Sequence, residues 1–429
     1  MEPSKVAVDA ATAAVKYAAW MGLDWGDRQH AWTLQEPGGR LRQGQVEQSP
    51  EQIDQWVTSL LRDYGGGPIA VAVEQKRGAL VAMLHKYEGL HVYPVHPNTA
   101  AHYRTMFHPS GSKNDTLDGR ELLDLLRKHP ERLERLRLDT AESRELRQLV
   151  EQRRCLVDEH TRQSNRLTEQ LKIYYPQILS WWKDVSASTV LTWLAQWPTL
   201  ADAQRAKPAQ VRRLLVQQGW DAAAVTEHLQ ELARAVPAVT DAALLNASRL
   251  YILALVELMQ PLRQAIASHE ERIKALARSH PDFAIVKSFP GAGEALAPRL
   301  LVALGTIRER FASASELQCY TGIAPVLRQS GRSQSVHFRW AAPKFLRQTF
   351  HEWASHSIRF SRWAADFYRS KQEQGKGHHA IVRALAFKWQ RILFRCWQDG
   401  TTYDETKYLQ VLHHRAMAPL LKAAAVNQR

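Results

Sequence analysis

Four acidic residues in the first third of the chain have the side chains and positions that phosphodiester chemistry needs. Asp24 ends one apolar segment (MGLD) and Glu74 ends another (IAVAVE), while Asp115 and Asp118 stand three residues apart at the start of a helical pattern. Residues i and i+3 are neighbours on a helix surface, so the two aspartates repel each other unless a cation separates them. The alternative explanation is that both simply interact with the positive end of the helix dipole.

If these carboxylates converge, they form an oxygen-only ligand set that suits Mg²⁺, with Mn²⁺ as a substitute. Two such ions can activate a nucleophile and stabilise the leaving oxygen of a phosphodiester. Glu74 is the most informative of the four acids, because an acid that closes a wholly apolar strand has few structural explanations. By contrast, Asp27 is predicted to be a turn residue and Glu121 a solvated helix residue.

Two later segments could contact or attack a phosphate. A Pro-Gly-Ala-Gly sequence lies between predicted helices, where the N–H groups of Gly291 and Gly293 could cradle a phosphate or the glycines could serve only as a tight connector. Ser330 stands in a polar, arginine-rich loop, and arginines can stabilise the phosphate that a serine attacks. Ser333 and Ser335 are rival nucleophiles, and the loop could instead only bind phosphate.

Charge indicates a nucleic-acid partner. The 429 residues carry a formal net charge of +14, which is typical of proteins that bind polyanions. The residues expected to contact DNA or RNA, besides the two glycines, are Lys113, Arg328, Arg332 and Arg339. Three widely spaced cysteines predict neither a disulfide framework nor a zinc site. The sequence shows no signal-peptide pattern and no apolar run of spanning length, so a cytoplasmic protein with no membrane partner is expected.

The elements that position these residues predict an α/β domain followed by helices. A strand, two strands joined by a Pro-Gly-Gly turn, and then alternating helices and strands fit a ribonuclease-H-like fold, in which the acids lie beyond strand ends. A long charged helix without Pro or Gly follows, with the pattern of a coiled-coil arm. In the last helical region, aromatic residues are predicted to form the core and the cations to contact phosphate. The expected segments are an N-terminal extension (1–15), the α/β domain (16–130), a helical coiled-coil linker region (139–280), a mostly helical C-terminal domain with a helix-hairpin-helix (281–400) and a tail (401–429).

Taken together, the motifs resemble the DEDD transposases of bacterial insertion sequences, relatives of the pilin-gene invertase. The resemblance runs from about residue 16 to about residue 397 and is carried by five segments in order: GLDWGDRQHAW, VAVEQKRG, SGSKNDTLDGRELLDLL, FPGAGEALAPRLLVALG and FASASELQCYTGIAPVLRQSG. It assigns the four acids to Asp24, Glu74, Asp115 and Asp118, and its Ser-Gly dipeptide assigns the catalytic serine to Ser330. Gly119 departs from the pattern, since the family more often has Ala there.

The resemblance implies a bridge-RNA-guided serine recombinase with a RuvC-like N-terminal domain. The acids bind Mg²⁺, the serine forms a covalent phosphoserine with DNA, and a structured guide RNA pairs with donor and target DNA. It also implies a homodimer or homotetramer, dimerised through the coiled coil, in bacterial cytoplasm and at the nucleoid when DNA is bound. Two other hypotheses use the same residues: a metal-dependent junction-resolving nuclease without a covalent intermediate, and a non-enzymatic nucleic-acid-binding scaffold.

Overall fold

A computed structural model describes residues 15–74, 78–107, 115–331 and 333–410; of Asp115 and Thr116 it describes the backbone alone. The chain divides into two compact units, one that ends at Leu138 and one that begins at Asp139. The first unit is a mixed α/β structure and the second is mostly helical, which confirms the predicted fold class at that level.

A five-stranded sheet forms the centre of the first unit. Its strands are β1 (Ala19–Asp24), β2 (Gln29–Gln35), β3 (Leu41–Glu47), β4 (Ile69–Val73) and β5 (Leu90–Pro94), in the order β3-β2-β1-β4-β5. β1, β2 and β3 pair antiparallel, and β1, β4 and β5 pair parallel. All five strands were predicted from their apolar patterns. The strand order is the one expected for a ribonuclease-H-like sheet.

Helices cover both faces of this sheet. They are α1 (Pro50–Asp63), α2 (Ala79–Leu84), α3 (Pro97–Phe107) and α4 (Asp115–Lys128). Met21 and Leu23 of β1 pack with α1 and α2, whereas Ala70 and Ala72 of β4 pack with α3 and α4. Since side chains alternate along a strand, the even-numbered residues of β1 and β4 lie on the α4 face.

Gly22 allows α4 to approach the sheet closely. A Cβ atom at position 22 would lie 1.9 Å from the carbonyl oxygen of Gly119 and 2.5 Å from the backbone nitrogen of Leu123. Both are main-chain atoms of α4, so no side-chain rotation could relieve the overlap. A residue without a side chain at the centre of β1 therefore fixes the distance between the strand that carries Asp24 and the helix that carries Asp118.

The second unit begins with two long helices that run antiparallel. α5 (Ala141–Tyr174) and α11 (Ala242–Ser279) are joined by Glu145–Arg272 (2.7 Å) and by Gln170 donating to Ser248 (2.9 Å). Between them in sequence lie α6 (Gln177–Trp181), α7 (Ser188–Gln196), α8 (Leu200–Arg205), α9 (Pro208–Gln217) and α10 (Ala222–Arg234). These five helices pack against one end of the α5–α11 pair, and together they enclose an apolar core. The predicted long helix is thus present, and it packs along a second helix of its own chain.

One property of α11 was not expected. Among the described residues it is the one helix whose length and composition would allow it to cross a membrane, a property that core helices of soluble proteins also have. The sequence has no uninterrupted apolar run of that length, as predicted, but α11 is apolar on average although it carries charged residues such as Glu257. A single helix of this kind is weak evidence for a membrane span.

The C-terminal part of this unit is a helical domain with one small hairpin. Its core contains Trp353, Trp389 and Trp397, each fully buried, which confirms that aromatics of this region form the core. The helices are α12 (Phe283–Lys287), α13 (Leu296–Leu304), α14 (Ala314–Tyr320), α15 (Lys344–Ser357), α16 (Arg362–Glu373) and α17 (His378–Asp399), and the strands are β6 (Val326–Ser330) and β7 (Ser333–His337).

Candidate active site

Asp24 and Glu74 lie side by side at one edge of the sheet. The parallel register of β1 and β4 pairs Leu23 with Val73, so the next residues on both strands are these two acids. Asp24 follows Gly22 by two residues and Glu74 follows Ala72 by two, so each acid lies on the same face of the sheet as that residue. This is the face that α4 covers. Carboxyl ends of neighbouring parallel strands are where sites form in such sheets.

Helix α4 brings a third acid to this edge. Asp118 is 3% exposed and lines a small cavity together with Glu74. Asp115 begins the same helix, one turn before Asp118, and its side chain lies outside the described residues. The structure therefore brings together two of the four predicted acids in one cavity, with Asp24 at the adjoining strand end.

Two charged residues of this cavity were not among the predicted site residues. Glu121 lines it beside Asp118, with a side chain only 13% exposed, so its prediction as a solvated residue was wrong. Arg104, near the end of α3, lies between them: its Nε atom is 2.7 Å from Oδ1 of Asp118 and 3.3 Å from Oε2 of Glu121. Glu121 follows Asp118 by three residues, so the shared helix face was a signal in the sequence. Asp27, by contrast, is exposed in the turn after β1, as predicted.

Neighbouring side chains hold the site in place. The Tyr103 hydroxyl donates to Asp124 (2.7 Å), which ties α3 to α4. Burial, this hydrogen bond and the nearby negative charge of Glu121 raise the pKa of Tyr103 to about 12, so the hydroxyl keeps its proton. On β2, burial lowers the pKa of His30, and its Nδ1 accepts the N–H of Gly26 (3.2 Å) in the turn that follows Asp24.

The donor set fits a divalent cation in its chemistry. It contains only carboxylate oxygens, the ligands that Mg²⁺ prefers, and the guanidinium of Arg104 already places a positive charge against Asp118 and Glu121. Within the described ranges, no three acidic, histidine or cysteine side chains already meet at distances that would hold an ion. Arg104 lies between Asp118 and Glu121, two of the acids that would have to meet around a bound ion.

Ser330 lies in a β-hairpin and not in the polar loop that was predicted. β6 and β7 pair antiparallel, with Ser330 opposite Ser333 and Arg328 opposite Ser335. Gly331, with a φ of 56°, supplies the left-handed conformation that a two-residue turn requires. Because side chains alternate along a strand, one exposed face of the hairpin carries Arg328 and Ser330 from β6 and Ser333 and Ser335 from β7.

The other predicted contact residues have varied surroundings. Arg328 is exposed beside Ser330, whereas the guanidinium of Arg339 donates to the carbonyl oxygens of Ala324 (3.1 Å) and Pro325 (3.4 Å) and so braces the base of the hairpin. Ser335 lies 2.9 Å from Nε2 of His337, which makes it the rival nucleophile with a histidine partner. Two further predicted residues, Lys113 and Arg332, lie outside the described residues.

The two glycines of the Pro-Gly-Ala-Gly turn differ from each other. Gly291 has a φ of 77°, and a Cβ there would lie 2.9 Å from the backbone nitrogen of Ser357, so this glycine serves the packing of the turn against α15. Gly293 is exposed with open space around its Cα. The next residue, Glu294, pairs with Arg278 (3.3 Å) and places a negative charge beside the turn.

Comparison with known proteins decides the family. A family model described as a transposase, of the DEDD type of IS110 elements, matches residues 21–176, and a model of the IS116/IS110/IS902 transposase family matches residues 284–369. The mini-circle putative transposase for IS117 of Streptomyces coelicolor is 30% identical over 425 residues, which cover 94% of this chain and 98% of the relative. The chain belongs to the IS110 family of transposases.

Two further relatives extend over almost the same length. The insertion element IS110 protein of Streptomyces coelicolor is 24% identical over 90% of this chain and 95% of its own. The insertion element IS900 protein of Mycobacterium paratuberculosis is 25% identical over 90% of this chain and 96% of its own. The predicted family is confirmed. This IS110-family transposase is an enzyme that cuts and rejoins DNA, and DNA is its partner.

Proposed function

We propose that this IS110-family transposase uses Asp24, Glu74, Asp115 and Asp118 to hold Mg²⁺ and Ser330 to attack DNA. The observation that carries the proposal is the register of β1 and β4, which puts Asp24 beside Glu74 under the helix that carries Asp118. When bound, the metal supplies Lewis acidity and neutralises charge on a phosphate. The carboxylates are held for this task by the sheet, by the close approach at Gly22 and by Tyr103.

In the proposed reaction, Ser330 Oγ attacks a DNA phosphorus atom. A bond forms between the serine oxygen and phosphorus, the bond to one DNA oxygen breaks, and the serine proton is released while the leaving DNA oxygen takes up a proton. Attack of another DNA hydroxyl on the phosphoserine reverses these changes and rejoins the strands. Arg328 shares the exposed face of Ser330, where its guanidinium can stabilise the attacked phosphate.

The finer architecture is proposed on the family resemblance and on the elements seen. A RuvC-like domain fits the strand order of the first unit, a coiled coil fits the long helix α5, and a helix-hairpin-helix fits α12, the glycine turn and α13. A structured guide RNA that pairs with donor and target DNA fits the net charge of +14. A homodimer or homotetramer, located in the cytoplasm and at the nucleoid, completes the proposal.

The carboxylate part of the proposal is tested by strand exchange. Protein co-expressed with its flanking element, so that guide RNA is present, is mixed with donor and target DNA and Mg²⁺. We expect Asp118→Asn or chelation of Mg²⁺ to abolish strand exchange, whereas Asp63→Asn, which changes an exposed acid at the end of α1, leaves it intact. Strand exchange by Asp118→Asn at the wild-type rate would refute the proposed role of this carboxylate.

A further inference from the structure

We propose that Arg104 occupies the place of a bound cation in the metal-free protein and thereby sets how tightly the carboxylates bind metal. The inference rests on the metal site proposed above and concerns residues that neither the sequence motifs nor the relatives assign. Arg104 lies near the C-terminal end of α3, and its side chain is 19% exposed.

The carboxylates of the cavity need a nearby positive charge. Three carboxylates, those of Glu74, Asp118 and Glu121, line the cavity that Arg104 also lines. Asp118 is 3% exposed, and a carboxylate so far from water requires a counter-charge. The guanidinium supplies it, because Arg104 Nε lies 2.7 Å from Asp118 Oδ1. In the metal-free protein this ion pair keeps the acids from repelling one another.

The guanidinium of Arg104 and a metal ion exclude each other. A divalent ion bound to Asp118 would stand a few ångströms from the guanidinium, and like charges at such a distance repel strongly in a partly buried site. Metal binding must therefore include the free energy of breaking the pair between Arg104 and Asp118. The measured affinity is lowered by that amount, as for any site whose competent state is only partly populated.

The side chain of Arg104 can leave the cavity without detaching α3 from α4. Tyr103, the preceding residue, donates to Asp124 of α4 (2.7 Å) and packs its ring against Phe107 (5.3 Å between centroids) and His129 (6.1 Å). The contact between α3 and α4 thus has its own anchor. The long side chain of Arg104 already reaches the surface, with 19% of it exposed, whereas Tyr103 holds α3 against α4.

The test is metal binding by the full-length protein without DNA. Mn²⁺ is titrated and its free concentration followed by electron paramagnetic resonance, a measurement independent of activity. We expect Arg104→Gln to lower the Kd for Mn²⁺ by about tenfold or more, the effect of losing one competing ion pair in a partly buried site. The control Arg62→Gln removes the same charge from an exposed position on α1, on the other face of the sheet, and should leave the Kd unchanged.

Two further variants separate the possible failures. Arg104→Lys keeps the charge and guards against a folding defect of Arg104→Gln; its Kd should lie between those of the wild type and the glutamine variant. Asp118→Asn should weaken binding in every background. If Asp118→Asn binds Mn²⁺ as the wild type does, the proposed metal site itself is wrong. If Asp118→Asn weakens binding but Arg104→Gln binds no more tightly than Arg62→Gln, the metal site stands and the role of Arg104 is refuted.

Discussion

The close approach of α4 to β1 makes a sharp prediction for two glycines that face each other. A Cβ at Gly22 would lie 1.9 Å from the carbonyl oxygen of Gly119, whereas ordinary contact begins at 3.4 Å, so α4 must retreat by about 1.5 Å in Gly22→Ala. Overpacking of this kind costs about 1–3 kcal/mol, and we expect a value at the upper end because only backbone can yield. Since Asp118 moves with α4, strand exchange should also fall by about 100-fold.

Gly119→Ala is the matched control, and its predicted change in stability has the opposite sign to that of Gly22→Ala. A Cβ there would meet its nearest neighbours, the carbonyl oxygens of Gly22 and Ala31, at 3.4 Å and 3.5 Å, which is ordinary contact. Alanine is better than glycine inside a helix by about 1 kcal/mol, so this variant should be more stable than the wild type and fully active.

Hydrogen exchange of the amides of α4, followed by mass spectrometry, reports the opening of this helix in the full chain. It avoids treating a protein of two units as a single two-state transition. We expect α4 to exchange faster in Gly22→Ala and more slowly in Gly119→Ala. Equal protection in Gly22→Ala and the wild type, or faster exchange in Gly119→Ala, would refute the argument that this contact positions the acids.

Two predictions concern the second unit. Burial among tryptophans such as Trp181 (4.7 Å between ring centroids) lowers the pKa of His228 to about 4, below its ordinary 6.5. The unfolded chain therefore binds a proton at a higher pH than the folded chain does. Stability falls as the pH drops from 6.5 towards 4. The free energy of unfolding should be about 2 kcal/mol lower at pH 5 than at pH 7, and His228→Phe should remove that part; equal slopes would mean that the indoles stabilise the imidazolium. Asp282 is 4% exposed, pairs with Arg308 and accepts a hydrogen bond from the indole of Trp397 (3.0 Å). In urea unfolding, Asp282→Ala should lower the stability by about 3 kcal/mol, because it leaves the partly buried charge of Arg308 unpaired. A loss below about 1 kcal/mol would contradict the structural role of this ion pair.

The sheet and its acids could be predicted because they follow from local pattern. A continuous apolar strand such as β4 must be buried on both faces, and an acid at its end must then lie at the sheet edge. The same reasoning puts both Asp24 and Glu74 at strand ends from the amino-acid pattern alone. Their adjacency also requires the pairing of β1 with β4, which is a tertiary fact, but parallel strands joined by helices have few alternatives.

The residues that were missed depend on contacts between distant parts of the chain. No element was predicted for residues 97–107, so nothing placed Arg104 near Asp118, and a lone arginine on a helix has many partners available. Glu121 was misassigned although its spacing from Asp118 put both on one face. The hairpin of Ser330 had a signal, since Ser-Gly lies between segments in which Leu327 and Val336 alternate with polar residues.

The measurement that tests the central claim most directly is a covalent-adduct assay. Tagged protein with its guide RNA is mixed with donor and target DNA and Mg²⁺, then denatured and examined for DNA that remains attached. The account predicts an adduct in the wild type, in Ser333→Ala and in Ser335→Ala, and none in Ser330→Ala or Asp118→Asn. DNA cleavage without an adduct, or an adduct that is lost only in Ser335→Ala, would contradict Ser330 as the nucleophile; cleavage without any adduct would favour the metal-dependent nuclease.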